Sequence, residues 1–350
     1  MKSKWGKVTR GIVKWRVAAA AAVLFCFAAP SLRAEELELT FATGAQPGQS
    51  PHPQVSLPWA DRINAAGKGL VHIKVVEGFS VVTPQTFYDR LKNDVVQIVY
   101  GLQGSVGGVF RLSDVVRIPY LVRKAEIGSV AFWRLYKSGA LDSDYKDVHP
   151  LAIAMYPQAV LHSAKRPSSI NDFSGLKVVA NSKLTADIIT KLGGSPISLL
   201  IQETYPALQR HTVDAVMTAY PGMVAFKFGE VAPIHVDAQL GGGATMLIMA
   251  KEKWNKLPPA VQKLLDDNSG EALARLYGIE NDAQQESGRK AAMEMKDQTM
   301  LVPTAAEDEA FQKKLVPVAE DWVKDNPDGA AVLAKFRALL TEAQAEIEKK

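Results

Sequence analysis

The sequence predicts an α/β protein built as two lobes, with the chain crossing between them more than once. Three observations carry this. Short apolar strand-like runs alternate with helix-period segments, a spacing that predicts parallel-rich sheets covered on both faces. The alternation starts afresh in the second half, yet no low-complexity linker or internal repeat separates the halves. At 350 residues, 47% hydrophobic and 22% charged, the chain is long enough for two α/β cores.

Leu37 to Phe41 alternates apolar and polar residues and reads as the first strand. Residues 45–58, rich in Gly, Pro, Gln and Ser, read as a loop entering a helix on which Trp59 and Ile63, four apart, share a buried face. Val71–Glu77 is the next strand. Thr83-Pro84 marks a helix start, with Thr able to cap and Pro preset at the first helical position, and Phe87 and Leu91 fall on one face. Residues 95–100 form a strand that runs into the glycine-rich loop 101–108.

The second half gives strands at 151–155, 159–163, 176–180, 197–200 and 214–218. Helices stand between them at 184–192, closed by Gly193-Gly194, and at 204–210. A strand at 245–250 precedes a long helical stretch that opens at Pro258-Pro259 and runs to about Met300. Residues 311–348 are helical, broken at Asn326-Pro327; the charged run 342–350 is a solvated helix face. Ligands of such sheets bind outside the carboxyl ends of the strands.

The formal charge of +4 is misleading. Residues 1–34 hold seven basic side chains and no acid; setting them aside leaves 34 basic against 37 acidic side chains, a net of −3. That balance offers no case for nucleic acid. A basic segment to Arg16, an apolar stretch 17–29 and a Pro30, Ser31, Ala34 zone read as an export signal. Ala34–Glu35 is the preferred cleavage point and a cut after Ala29 is the alternative. The apolar stretch is shorter than the roughly 20 residues a membrane span needs. Cys26, the one cysteine, lies inside this signal, with Phe25 rather than a small residue before it. The expected product is a periplasmic chain without lipid anchor, disulfide, thiol nucleophile or zinc–thiolate site.

Several motifs then stand in one order. They are Ile118-Pro119-Tyr120-Leu121; Asp172-Phe173-Ser174-Gly175-Leu176-Lys177; Leu192-Gly193-Gly194-Ser195-Pro196; Glu203-Thr204-Tyr205-Pro206-Ala207-Leu208-Gln209; Val213-Asp214; and Trp254 with Leu257-Pro258-Pro259-Ala260-Val261-Gln262. Together they resemble the solute receptors of tripartite ATP-independent periplasmic (TRAP) transporters, the DctP-like family, over nearly all of the chain beyond residue 34. The resemblance implies a two-lobed periplasmic-binding-protein fold with hinge strands and a long bridging helix. It implies closure over one small organic ligand and delivery to the membrane permease subunits. On this reading 35–155 form lobe 1, to which about 246–300 returns with the bridging helix. Residues 156–245 form lobe 2, and 301–350 pack across both. The receptor is expected to be a monomer without metal or cofactor.

Members of that family hold a carboxylate with an arginine two residues after the Gly-Leu-Lys turn, a planar fork that matches the carboxylate. Here Val179 stands at that position, and Ala159 at that of a second cleft arginine. Thr218 stands opposite the usual asparagine. The expected cleft is therefore apolar: Phe41, Thr43, Tyr100, Leu102, Gln103, Tyr156, Gln158, Val179, Asn181, Ile201, Thr218, Tyr220 and the loop 241–245 with Thr245. It suits an aromatic or branched organic acid. A bare carboxylate there needs compensation from Gln103, Asn181, Thr218 and backbone amides, or from a first-lobe cation among Arg90, Arg111, Arg117 and Arg123. Arg117 and Arg123 flank the Pro-Tyr segment and read as structural. Val179, Ile201, Tyr100, Tyr156 and Phe41 each fit plain core packing as well as ligand contact. The glycines 241–243 read as a crossing or close-approach loop, since no helix follows to make a phosphate cradle.

Catalytic readings find little support. Ser174 and Lys177 fit a Ser-x-x-Lys pattern but sit in a strand-entry turn. Ser105 lacks the Gly-x-Ser-x-Gly spacing. The six histidines, His52, His72, His149, His162, His211 and His235, are scattered singly, without zinc-ligand spacing. An exported sensory binding protein, or less readily an exported hydrolase, is the alternative to a transport receptor.

Overall fold

Strand pairing divides the chain between two mixed sheets. The computed structural model describes residues 36–43 and 52–349, so the proposed export signal lies outside the described residues. In chain order the first sheet's lobe supplies β1 (Leu37–Thr43), α1 (Leu57–Ala66), β2 (Val71–Glu77), α2 (Phe87–Lys92), β3 (Ile98–Leu102), α3 (Ala125–Lys137) and β4 (Val148–Tyr156). The chain then crosses and builds β5 (Val160–Ser163), β6 (Lys177–Ala180), α4 (Lys183–Lys191), β7 (Ser195–Ser198), α5 (Ile201–Gln209), β8 (Ala215–Thr218), α6 (Tyr220–Ala225) and β9 (Ile234–Val236). It returns as β10 (Gly243–Ala250), α7 (Lys251–Lys256) and α8 (Pro259–Asp267), then runs through α9 (Glu271–Glu294) to β11 (Thr299–Leu301), α10 (Ala305–Asp325) and α11 (Gly329–Ile347).

The sheet orders are β2-β1-β3-β10-β4 and β11-β9-β5-β8-β6-β7. Pairs within each βαβ run are parallel, as the alternation predicts. The antiparallel pairs all involve a strand that carries the chain between sheets: β10 with β3 and β4, and β5 with β8 and β9. Both faces of each sheet are buried. Successive residues of β6 show it: Val178 and Ala180 join one core, while Val179 joins the other with Val216, Tyr220 and Phe228.

Trp59 and Ile63 are fully buried, as are Phe87 and Leu91 to within 2%, which fits their helical spacing. The stretch 258–300 is not one helix. α8 ends at Asp267, and Gly270, at φ +78°, resets the chain before α9. The Thr83-Pro84 start is a turn, with α2 beginning at Phe87, and Ile118–Leu121 is a turn after a short 3₁₀ helix (Ser113–Arg117). α9 has 24 residues, about 36 Å at 1.5 Å per residue. It packs on α3 and β4 in one lobe and on α6 in the other. α10 lies on α4, and α11 on α3.

Candidate functional site

Three chain crossings meet at one place. Pro157, Gln158 and Ala159 link β4 to β5, and residues 237–242 link β9 to β10. The two segments are bonded to each other: the Ala159 amide donates to the Gly241 carbonyl (2.8 Å) and the Leu240 amide to that of Ala159 (3.1 Å). The Gly241 amide donates to Gln158 Oε1 (3.0 Å). Gly241 has φ +101°, and a Cβ there would collide with the Arg117 carbonyl. The glycines 241–243 are thus a close-approach loop.

The third crossing, α9, reads the other two with one polar stripe. Asn281 Nδ2 donates to the Met155 carbonyl (2.7 Å) and Gln285 Nε2 to that of Gln158 (3.0 Å). Gln285 Oε1 accepts from the Tyr220 amide (3.1 Å), and Arg289 Nε donates to Asp237 (2.7 Å). Spacings of 281, 285 and 289 keep these groups on one helix face.

A small cavity of about 80 Å³ lies between the lobes. Leu102, Leu184, Ile188, Met217 and Leu240 give it apolar walls; Ser105, Tyr156, Asn181, Thr185 and Thr218 give polar points. Burial pushes the Tyr156 phenol well up, so it stays protonated. Among the described lining residues one side chain is charged, that of Arg117.

Arg117 ends the 3₁₀ helix in the first lobe and is 6% exposed. Its Nη2 crosses the cleft and donates to Ser182 Oγ (2.7 Å), Thr185 Oγ1 (3.2 Å) and Asn181 Oδ1 (3.3 Å). Its Nη1 packs against Gly104, where any Cβ would collide with it. Asp114 Oδ1 stands 3.5 Å from Nε. Burial raises the Asp114 carboxyl above its ordinary range, with Arg117 pulling the other way. The partners on the cleft side are neutral, so this wall is electropositive.

Of the residues expected at the cleft, Leu102, Tyr156, Asn181, Thr218 and the loop residues Gly241, Gly242, Gly243 and Ala244 line this cavity. Gln158 lines a second cavity instead, with Arg123, Asp237 and Asp282, and Tyr156 borders both. The others lie elsewhere, each for a packing reason. Phe41 is fully buried, edge-to-face on Trp59 at 5.9 Å, and Thr43 is buried beside it in sequence. Tyr100 stacks on Tyr277 at 5.1 Å. Gln103 points into lobe 1, donating to Tyr145 Oη (2.5 Å). Val179, Ile201 and Tyr220 belong to the lobe 2 core, and Thr245 Oγ1 donates to the Ala154 carbonyl (3.2 Å). Arg117, Leu184, Thr185 and Ile188 are cavity residues that the motif register passes over. Of the four first-lobe arginines considered, Arg117 alone lines the cavity; Arg111 caps the Asp325 carbonyl (2.7 Å). The available signals are a cation inside an apolar run, Val115 to Pro119, and the capping pair Ser182 and Thr185 at the start of α4.

Ser174 donates to Asp172 (2.5 Å) in an exposed turn. Among the described residues, no group of three or more His, Cys, Asp and Glu side chains is placed to hold a metal. Nor is any described helix long and apolar enough to cross a membrane.

Comparison with known proteins agrees with this geometry. Residues 41–325 match the family described as bacterial extracellular solute-binding protein, family 7. The outer membrane transporter protein TsaT of Comamonas testosteroni is 25% identical over 278 residues, 77% of this chain and 80% of that one. A TRAP solute-binding protein from Rhodoferax ferrireducens T118, crystallised with copurified benzoate, superposes with a TM-score of 0.82 at 25% identity, covering 89% of this chain and 99% of that one. A TRAP periplasmic solute-binding protein from Bordetella bronchiseptica, with bound (R)- and (S)-mandelate, gives a TM-score of 0.77 at 24% identity, covering 87% and 99%.

Proposed function

The chain belongs to family 7 of the bacterial extracellular solute-binding proteins, the receptors of TRAP transporters, and from that premise we propose that its ligand is an organic monoacid with an aromatic or branched apolar body. Receptors of this family take up a small organic molecule and work with a TRAP permease. The observation that carries the ligand class is the cavity's lining: apolar side chains on several elements, and charge of one sign from one residue, Arg117. A single ring burying ~150 Å² contributes about 4 kcal/mol at 25 cal/mol per Å². A monocarboxylate meets the cation; a second carboxylate has no described cation in the cavity and retains its desolvation cost. The copurified benzoate of the Rhodoferax protein supports the same class.

On this reading residues 1–34 direct export to the periplasm and are removed, and the mature protein is a monomer that performs no catalysis. The crossings at 157–159 and 237–242 act as hinges, and closure excludes water from the ligand.

Thermal unfolding with benzoate, mandelate and succinate tests this. Binding to the native state alone adds about 2.7 kcal/mol at a ligand concentration 100 times Kd. A saturable rise of the midpoint with a ring-bearing monoacid, and unchanged ligand recovered afterwards, is expected. Recovery of a chemical product would contradict the receptor reading and make the protein an enzyme.

A further inference from the structure

The first turn of α4 and Arg117 face one another across the cleft, from opposite lobes. α4 has nine residues, and Ser182 caps it by accepting from the Thr185 amide (3.1 Å). The amides of Lys183 and Leu184 lie in the first turn, where a helix has no carbonyl of its own to offer, and the helix dipole adds positive potential there. Leu184 and Thr185 line the cavity. Opposite them is a guanidinium that is more than nine-tenths buried and whose Nε has no hydrogen-bond partner. Its Nη2 rests on three neutral oxygens of lobe 2, all three at or beside this helix start. The Ser182 and Thr185 hydroxyls, 2.9 Å apart, also bond one another and can turn to donate.

Resting on the monoacid reading, we infer that Arg117 and the first turn of α4 form a two-lobe carboxylate clamp. One face of the carboxylate takes the guanidinium from lobe 1. The other takes the Ser182 and Thr185 hydroxyls and the helix N-terminus from lobe 2. The clamp stands in for the arginine expected at position 179, where Val179 is instead part of the lobe 2 core. The carboxylate would take the place that the direct Arg117 contacts now hold, bridging the two lobes through the anion.

Calorimetry with benzoate and its uncharged isostere benzamide tests the clamp on the mature chain. Two variants cover the two sides. Arg117→Gln combined with Asp114→Asn removes the cation without orphaning its buried carboxylate partner. Thr185→Val leaves Arg117 intact and serves should the double variant fold poorly. Wild type should prefer benzoate over benzamide by about 100-fold, the range of a charge-assisted contact. The double variant should lower that preference to about threefold, and Thr185→Val should lower it by roughly tenfold. Benzoate bound equally well by wild type and both variants would overturn the clamp and leave the monoacid reading standing. Succinate binding more tightly than benzoate, with the same loss in the variants, would keep the clamp and overturn the monoacid reading. A wild-type protein that binds no carboxylate would overturn both.

Discussion

Replacing Gly241 by alanine should destabilise the protein several times more than replacing Gly69. Both glycines have positive φ, +101° and +80°. The backbone term is therefore shared, and costs about 1–2 kcal/mol for a side chain forced into that region. Their surroundings differ. A Cβ at Gly69 meets nothing within 4 Å, whereas one at Gly241 collides with the Arg117 carbonyl, a backbone atom that cannot swing away. Overpacking of that kind costs about 1–3 kcal/mol. It also threatens two bonds through which the Gly241 backbone ties the crossings together, to Gln158 Oε1 and Ala159 N, each worth about 1 kcal/mol. The total for Gly241→Ala is about 2–5 kcal/mol with the two bonds kept and about 4–7 with both lost, against about 1–2 for Gly69→Ala. Equilibrium unfolding in urea resolves the difference. Equal losses would mean that the close approach of the crossings to Arg117 is not rigid, and would refute the hinge argument.

Other outcomes follow from the same geometry. His162 and His235 are fully buried with Nδ1 atoms 2.7 Å apart, and burial lowers both below the ordinary 6.5. The unfolded chain therefore binds protons first as pH falls. The pair's contribution is complete above about pH 6.5 and declines below it, by up to about 1.4 kcal/mol per pH unit for each histidine. Unfolding free energies measured from pH 7.5 to 5.5 should fall, and His235→Gln should flatten the slope; a flat wild-type profile would contradict the burial argument. Asp282 accepts from the Ala125 and Glu126 amides at 2.8 and 3.0 Å, tying α9 to the start of α3, so Asp282→Ala should cost about 1–2 kcal/mol in the same urea assay. Intact mass of protein recovered from the periplasm should match a chain beginning near Glu35; retention of residues 1–34 would refute the export reading.

Much of the fold is legible because local signals and tertiary packing agree. Alternation at Leu37–Phe41, the four-residue spacing of Trp59 and Ile63, and the Asn326-Pro327 break each coincide with an element or its end. The three-residue strands β9 and β11 carry too few residues for a period to show, and their pairing is supplied by distant neighbours. α3 lies in a segment whose sequence carries no clear start signal: its N-terminus is capped by Asp282, more than 150 residues away. The site is less legible than the fold. Family register points to Gln103 and Val179, but facing depends on which side of a strand or turn each falls. Gln103 turns inward to Tyr145, and Val179 lies on the opposite face of β6 from Val178 and Ala180. Arg117 looks like a structural residue beside Pro119 because its partners, Asn181, Ser182 and Thr185, are more than 60 residues away in the other lobe.

Titration calorimetry of the wild-type protein with benzoate, mandelate and succinate, at one pH and salt concentration, addresses the ligand class most directly. An inter-lobe cavity with apolar walls and Arg117 as its one described charged side chain predicts a single saturable site for a ring-bearing monoacid. It also predicts affinity at least about tenfold weaker for succinate, equivalent to about 1.4 kcal/mol. Succinate binding most tightly, with no heat from either aromatic acid, would contradict the account.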